Sequence, residues 1–136
     1  VLGRSWTIGH LSKSTGVKVT TIRYYESIGL MTEAKRTPGG QRVYDETEQA
    51  RLTFIRQSRE LGFTIEAIRD LISLKLTPGA DCADVEKLAT HHLSEVDKRL
   101  VQLRELRRDL KQMISSCNGG DVSCCTILNG IARQNR

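Results

Sequence analysis

The segment from Asp84 to Ser115 most constrains the fold, because it lacks proline and glycine and repeats apolar residues at steps of four and three. This heptad spacing is typical of a helix that packs along a second helix. Such a helix would be ~45 Å long, too long to bury its apolar stripe against a small domain. We therefore expect a partner helix, most simply from a second copy of the chain; the alternative is a helix folded back on its own domain. The stripe consists of Ala89, Leu93, Val96, Leu100, Leu103, Leu110 and Ile114, and Arg107 interrupts it.

Two short helices are predicted near the start of the chain. In "TIGHLSKSTG", Ile8 and Leu11 share one face, and Gly16 is a candidate for the residue that ends the helix. In "VTTIRYYESIGL", Thr20 is a candidate N-cap and Gly29 a stop signal. Two short helices joined by a glycine-containing turn predict a helix-turn-helix.

A small hairpin and further helices are predicted next. The Pro-Gly-Gly sequence at 38–40 indicates a turn, and the run from Gln41 to Tyr44 indicates a short strand, so that together they predict a wing. Apolar spacing predicts one helix from about Thr47 to Leu61 and another that opens at Thr64.

We expect a mainly α fold in three parts. Residues 6–76 form a winged helix-turn-helix domain with connecting helices, and residues 77–116 form a hinge and a dimerisation helix. Residues 117–136 form a cysteine-containing loop and a short C-terminal helix, which "CTILNGI" begins.

The bulk composition excludes some functions. No run of 18 apolar residues is present, which predicts no transmembrane helix, and "VLGRSW" lacks the apolar core of a signal peptide. We therefore expect a cytoplasmic protein, where thiols stay reduced and four cysteines favour metal or redox chemistry over disulfides. The net charge of +5 is a weak indication of a nucleic-acid partner.

The second short helix and the wing carry the side chains that a DNA reader needs. A recognition helix enters the major groove and is held by contacts to phosphates. The alternative interpretation places Tyr25 and Tyr44 in the core and the arginines on a solvated face, but the combination favours DNA. The candidates are Lys18, Thr20, Thr21, Arg23 and Tyr24 in the helix, and Arg36, Gln41, Arg42 and Tyr44 in the wing.

Three cysteines lie in a loop after the long helix. The sequence "CNGGDVSCC" is too rich in Gly, Asn, Asp and Ser to be helical, and it contains Cys117, Cys124 and Cys125. Thiolates at the two ends of a loop can close on one ion, and they select Zn(II), Cd(II), Hg(II), Pb(II) or Cu(I). The alternatives are a disulfide or inert buried thiols. A zinc enzyme is disfavoured because no H-E-x-x-H or deaminase pattern occurs, so we expect no catalytic residues.

The segment "TIGHLSKSTGVKVTTIRYYESIGL", then "RTPGGQRVYD" and "RLTFIRQSRELGFTIEAIRDLI", resembles the MerR family of bacterial transcription regulators. The resemblance implies an antiparallel homodimer formed through the long helix. It also implies a pseudo-palindromic double-stranded promoter, which the metal-bound form untwists so that RNA polymerase can engage it and transcribe efflux or detoxification genes. The implied DNA residues are Lys18 and Thr21 near base edges, and Arg23, Tyr24, Arg36, Gly40, Arg42 and Tyr44 at the backbone.

The resemblance also implies a metal site. Metal sensors of the family hold their ion between two loop cysteines, and "CTIL" points to Cys125 as the second, with Cys124 as an extra thiol; both spacings remain open. Cys82 occupies the position at which divalent-ion sensors have cysteine and copper or gold sensors have serine, so a divalent ion (Zn, Cd, Hg or Pb) is favoured. In an antiparallel dimer Cys82 would meet Cys117 and Cys125 of the other chain. Either His91 or His92 is an accessory ligand, or both belong to a polar helix face. The alternatives within the family are a monovalent copper-type sensor and a redox or iron–sulfur sensor.

Overall fold

The computed structural model describes residues 5–117, 119–122 and 125–133. This described part forms two compact units, the first ending at Leu88 and the second beginning at Ala89. None of its helices is both long and apolar enough to cross a bilayer. In chain order the elements are α1 (Ile8–Thr15), α2 (Val19–Ser27), β1 (Lys35–Arg36), β2 (Arg42–Val43), α3 (Glu46–Glu60), α4 (Ile65–Leu76), α5 (Cys82–Ser115) and α6 (Thr126–Arg133).

The first two helices form the predicted helix-turn-helix. The Thr7 hydroxyl accepts a hydrogen bond from the His10 N–H at 3.2 Å, and Gly16 ends α1 in the left-handed region at φ +76°. The predicted N-cap at Thr20 is wrong. Lys18 occupies the cap position without a side-chain bond, because the chain turns into α2 directly after the buried Val17. Thr20 instead lies exposed in the first turn of α2.

One apolar core holds the first unit together. Helix α1 packs against α2 and α3, and α3 packs against α4. Helix α3 begins with a capping box, in which Asp45 and Glu48 each accept a hydrogen bond from the other's backbone N–H. The largest fully buried side chains are Tyr44, Leu11, Ile22, Leu30, Met31, Leu52, Ile55 and Ile68.

Two arginines join the later helices to the ends of the earlier ones. Nη1 of Arg56 in α3 donates to the Thr15 carbonyl at the end of α1, at 2.8 Å. Nη2 of Arg69 in α4 donates to the Ile28 carbonyl at the end of α2, also at 2.8 Å. Each guanidinium therefore satisfies a carbonyl that a helix end leaves without an internal partner.

The long helix is confirmed and begins two residues earlier than the apolar pattern predicts. Helix α5 has 34 residues, and none of them is classed as buried in the single chain. Its apolar stripe is exposed, including Leu93, Leu103 and Ile114. A helix of this length is about 50 Å long.

The short C-terminal helix is also confirmed. Within the second unit, the Thr126 hydroxyl donates to the Met113 carbonyl at 3.3 Å. Gly130 of α6 faces the Met113 side chain so closely that a Cβ there would lie 3.1 Å from its sulfur. The last turns of α5 and the helix α6 therefore pack against each other.

Candidate DNA-binding surface and cysteine sites

Helix α2 divides into a buried side and an exposed side. Ile22 and Tyr25 are buried in the core. The predicted contact residues lie elsewhere on the helix, and Tyr24 is 54% exposed. Because the core holds one side of α2 rigidly, the other side is free to approach a partner. The exposed or partly exposed candidates at this helix are Lys18, Thr20, Thr21, Arg23 and Tyr24.

The wing is a two-stranded antiparallel hairpin in which Arg36 pairs with Arg42. Its turn is closed by the Thr37 N–H, which donates to the Gln41 carbonyl at 2.8 Å. Nη1 of Arg36 donates to the Gly40 carbonyl at 2.8 Å, and Gly40 has φ +84° with open space around its Cα. The conformation at residue 40 is one that glycine adopts without strain. The exposed wing candidates are thus Arg36, Gly40 and Gln41.

The base of the wing is joined to the chain ahead of α1, a contact that the sequence did not indicate. Trp6 and Tyr44 exchange both backbone hydrogen bonds, each at 2.8 Å. The Trp6 ring stacks on His10, with ring centroids 6.0 Å apart. No periodicity reveals such a pairing, because it joins two isolated residues far apart in the chain.

The predicted phosphate contact of Tyr44 needs correction. Its side chain is only 1% exposed, and its hydroxyl donates to the carboxylate of Glu26 in α2. A buried hydroxyl that is already bound cannot reach a phosphate, so Tyr44 has a structural role in this chain. Glu26 in turn faces Arg42 of β2, with Nη1 and Oε2 3.6 Å apart. Sequence reasoning missed Glu26, although its place four residues after the buried Ile22 put it on an inward-facing side of the helix.

The described cysteines are free thiols. Cys82 is exposed at the first residue of α5, Cys117 is exposed just after its end, and Cys125 is half-buried just before α6. The N–H of Cys117 donates to the Ile114 carbonyl at 3.1 Å, and that of Cys125 donates to the Val122 carbonyl at 3.1 Å. These short-range bonds fold the chain at both ends of the loop.

The donor chemistry of these residues fits a soft metal ion, although one protomer does not assemble a site from its described residues. Among residues 5–117, 119–122 and 125–133, no group of three His, Cys, Asp or Glu side chains is placed to hold an ion. Cys124 lies outside the described residues. His91 and His92 both lie within α5, His91 exposed and His92 partly buried. Accessible reduced thiols are nevertheless the ligands that soft ions prefer.

Comparison with known proteins agrees with this architecture. The sequence profile of the MerR helix-turn-helix family of regulatory proteins matches residues 6–75, and a profile described as MerR, DNA binding, matches residues 49–113. The heavy metal-dependent transcription regulator 2 of Rhizobium meliloti is 37% identical over 92% of this chain and 85% of its own length. The regulator ZntR of Escherichia coli K12 is 37% identical over 93% of this chain and 92% of its own length.

A solved structure has the same architecture. The regulator PbrR691 of Ralstonia metallidurans CH34, crystallised with lead(II), superimposes with a TM-score of 0.78 at 37% identity. The match covers 93% of this chain and 98% of that one. A helix-turn-helix with a wing, followed by a long helix, defines a DNA-binding regulator and not an enzyme. The chain belongs to the MerR family of helix-turn-helix regulatory proteins.

Proposed function

We propose that this chain is a homodimeric, metal-responsive transcription regulator of the bacterial cytoplasm. It binds promoter DNA through α2 and the wing, and it senses a soft divalent ion through Cys82, Cys117 and Cys125. The observation that carries the proposal is the position of the free thiols. They lie at the two ends of α5, a helix whose apolar stripe is exposed in the single chain.

The exposed stripe of α5 supports the dimer. Leucine, valine and isoleucine side chains at heptad spacing are costly to leave in water over several turns. A second α5 packed along the first would bury them, as in a coiled coil. The members of the stripe that are more than a third exposed include Leu93, Leu100, Leu103, Leu110 and Ile114.

Antiparallel pairing of two such helices supports a shared metal site. The start of one α5 would then lie beside the end of its partner, so that Cys82 would meet Cys117 and Cys125 of the partner subunit. Cys124 stays an alternative loop ligand. An ion held there would supply a bridge between thiolates of the two subunits. Three thiolates suit Zn(II), Cd(II), Hg(II) or Pb(II), and the relatives named as heavy metal-dependent and lead-bound support this class.

Regulation requires that the ion bind two arrangements of the dimer unequally, because equal affinity shifts no equilibrium. We propose that both forms hold the promoter through the same α2 and wing residues. The ion-bound form then distorts the duplex so that RNA polymerase can use it. The residues that would carry the response are the cysteines, and those that would carry DNA affinity are in the first unit.

Metal titration of the reduced protein under anaerobic conditions tests the sensing site. Zn(II), Cd(II), Pb(II), Hg(II) and Cu(I) are added separately, with thiolate charge-transfer absorption as the signal and chelators as competitors. We expect tight divalent binding that Cys82→Ser abolishes, while affinity for a duplex selected from a random-sequence pool changes little. Comparison of Cys124→Ser with Cys125→Ser identifies the loop ligand. Equal loss of metal and DNA binding in Cys82→Ser would contradict the proposal.

Two alternatives within the family predict different results. Tight Cu(I) binding that is indifferent to Cys82→Ser would indicate a copper-type sensor that uses the loop cysteines alone, since two thiolates suit Cu(I). Visible absorption of the protein as purified that bleaches on reduction would indicate an iron–sulfur sensor. Reversible loss of free thiols on mild oxidation, without visible absorption, would indicate a disulfide redox sensor.

A further inference from the structure

We infer that Glu26 is a positioning residue for DNA binding, which acts by holding the guanidinium of Arg42 toward the phosphate backbone. Glu26 lies in α2 and Arg42 in β2, so the contact joins the recognition helix to the wing. This inference rests on the proposed DNA-binding surface and adds to it a residue that does not itself face the DNA.

Glu26 is a buried carboxylate. Its side chain is only 7% exposed, and a buried carboxylate is costly unless it is hydrogen-bonded and paired with a cation. The Tyr44 hydroxyl supplies the hydrogen bond, to Oε1. Arg42 supplies the charge, with Nη1 3.6 Å from Oε2. The two carboxylate oxygens are therefore used by two different residues of the wing.

Arg42 is buried at one edge of its guanidinium and accessible at the other. Its side chain is 34% exposed, yet Nη1 is buried and has no hydrogen-bond partner among the residues that the structure describes. Buried nitrogens without a hydrogen-bond partner are rare, so the charge of Glu26, together with the neighbouring Tyr44 hydroxyl, orients this edge of the guanidinium. The accessible part of Arg42 remains free to donate to a phosphate oxygen.

Tyr44 makes the arrangement rigid. Its ring is fully buried, its backbone is paired with Trp6, and burial together with the bond to Glu26 raises the pKa of its hydroxyl far above 10.0. The hydroxyl therefore stays protonated, and remains a donor, well above neutral pH. Glu26 is held at one oxygen by the core and presents the other oxygen to Arg42.

Because Glu26 is negatively charged, an experiment can distinguish a positioning role from the general effect of net charge on DNA affinity. Removal of a carboxylate near a DNA-binding surface normally strengthens binding, because the protein becomes more positive. If Glu26 orients Arg42, Glu26→Gln weakens binding instead. An isosteric glutamine still accepts from Tyr44 but no longer attracts the guanidinium.

The test measures affinity of the full-length protein for a duplex selected from a random-sequence pool, as a function of salt. Each phosphate contact that is lost lowers the slope of log K against log salt by about 0.9. We expect Glu26→Gln and Arg42→Ala each to lower affinity several-fold and to reduce the slope by about 1 per protomer. In the Arg42→Ala background, Glu26→Gln should have no further effect on the slope.

Controls separate positioning from folding and from the proposed surface. Glu33→Gln removes an exposed carboxylate of the same unit and should leave affinity equal or slightly higher. Tyr44→Phe keeps the ring and the Glu26 charge but removes the hydroxyl that holds one oxygen of Glu26, so it should reduce affinity and slope less than Glu26→Gln does. If Glu26→Gln does not fold, Glu26→Asp is the deciding variant, because it keeps the charge but withdraws it from Arg42 by one methylene and should also lower the slope. Arg23→Ala tests the surface independently of the Glu26 contact.

Three outcomes overturn the inference. A folded Glu26→Gln with unchanged or higher affinity and an unchanged slope would contradict it, while loss in Arg23→Ala would leave the DNA surface intact. A lower melting temperature with an unchanged slope would mean that Glu26 only stabilises the fold. Full affinity in both Arg23→Ala and Arg42→Ala would refute the proposed surface and the inference together.

Discussion

The hydroxyl of Tyr44 at the end of the wing donates a hydrogen bond to the carboxylate of Glu26 in α2. Both side chains are buried, so the bond fixes the wing against the helix that carries the DNA-binding candidates. The backbone of Tyr44 is also paired with Trp6. The chain ahead of α1, the helix α2 and the strand β2 therefore meet at one tyrosine.

Replacement of Tyr44 by phenylalanine should lower the free energy of unfolding by about 1–3 kcal/mol at neutral pH, because a buried acceptor loses its donor. Burial, the bond to Glu26 and the Glu26 charge raise the pKa of Tyr44 above its ordinary 10.0. The folded protein therefore holds this proton more tightly than the unfolded chain, and its stability falls as pH rises above 10. Denaturant unfolding at several pH values should show a steeper alkaline loss in the wild type than in Tyr44→Phe. Parallel curves would contradict the assignment.

The raised pKa of Glu48 predicts a different pH dependence of the free energy of unfolding. Burial raises its pKa above the ordinary value of 4.5, although the Asp45 N–H that it accepts works in the opposite direction. The stability that it contributes is present below pH 4.5 and is lost as pH rises through the folded-state pKa. Glutamine keeps the capping box without a buried charge. We therefore expect Glu48→Gln to gain stability over the wild type as pH rises from 4 to 7, measured by denaturant unfolding.

The matched control for that experiment is Glu95→Gln. Glu95 is an exposed residue of α5 whose pKa is lowered by the hydrogen bond and charge of Lys98. Its small contribution has the opposite sign, since it is present at neutral pH and lost on acidification. If Glu95→Gln gains as much free energy of unfolding between pH 4 and 7 as Glu48→Gln does, the effect is due to net charge alone.

Alanine variants at Gly16 and Gly79 distinguish the cost of backbone strain from the cost of side-chain crowding. Both have φ +76°, but a Cβ at residue 16 would lie 2.9 Å from Nη1 of Arg56, whereas nothing lies within 4 Å at residue 79. Gly79→Ala should cost about 1–2 kcal/mol for the left-handed conformation alone. Gly16→Ala should cost about 1 kcal/mol more, because Arg56 must leave the Thr15 carbonyl. Thermal unfolding at one fixed protein concentration measures both, and equal losses would exclude a role for Arg56.

Gly130 tests the packing of α6 on α5. Alanine in a helix interior is favoured over glycine by about 0.8–1 kcal/mol, but here its Cβ would lie 3.1 Å from three atoms of Met113. We expect Gly130→Ala to stabilise α6 clearly only when Met113→Ala removes this contact. Amide hydrogen exchange of α6 in the two single variants and the double variant gives the coupling. Additive effects would show that the two side chains do not constrain each other.

Local patterns in the sequence were enough to predict the elements. The heptad run predicted α5, the Pro-Gly-Gly turn predicted the wing, and glycines at 16 and 29 correctly marked the ends of the first two helices. These signals are local, because capping, turn geometry and helical spacing act over a few residues. The predicted N-cap of α2 at Thr20 was wrong because that prediction also relied on a local signal alone. The burial of Val17, a tertiary effect, decided where that helix begins.

The amino-acid sequence alone was sufficient for the order and type of the elements, the family resemblance and the set of thiols. The roles of several polar residues of the first unit became clear from tertiary contacts alone. The tertiary structure turned Tyr44 from a predicted phosphate contact into a buried donor, and it brought Glu26 to Arg42 and Arg56 to the end of α1. Such contacts join residues that are distant along the chain, and their geometry follows from how the helices pack around one core. No local pattern of residues encodes that geometry.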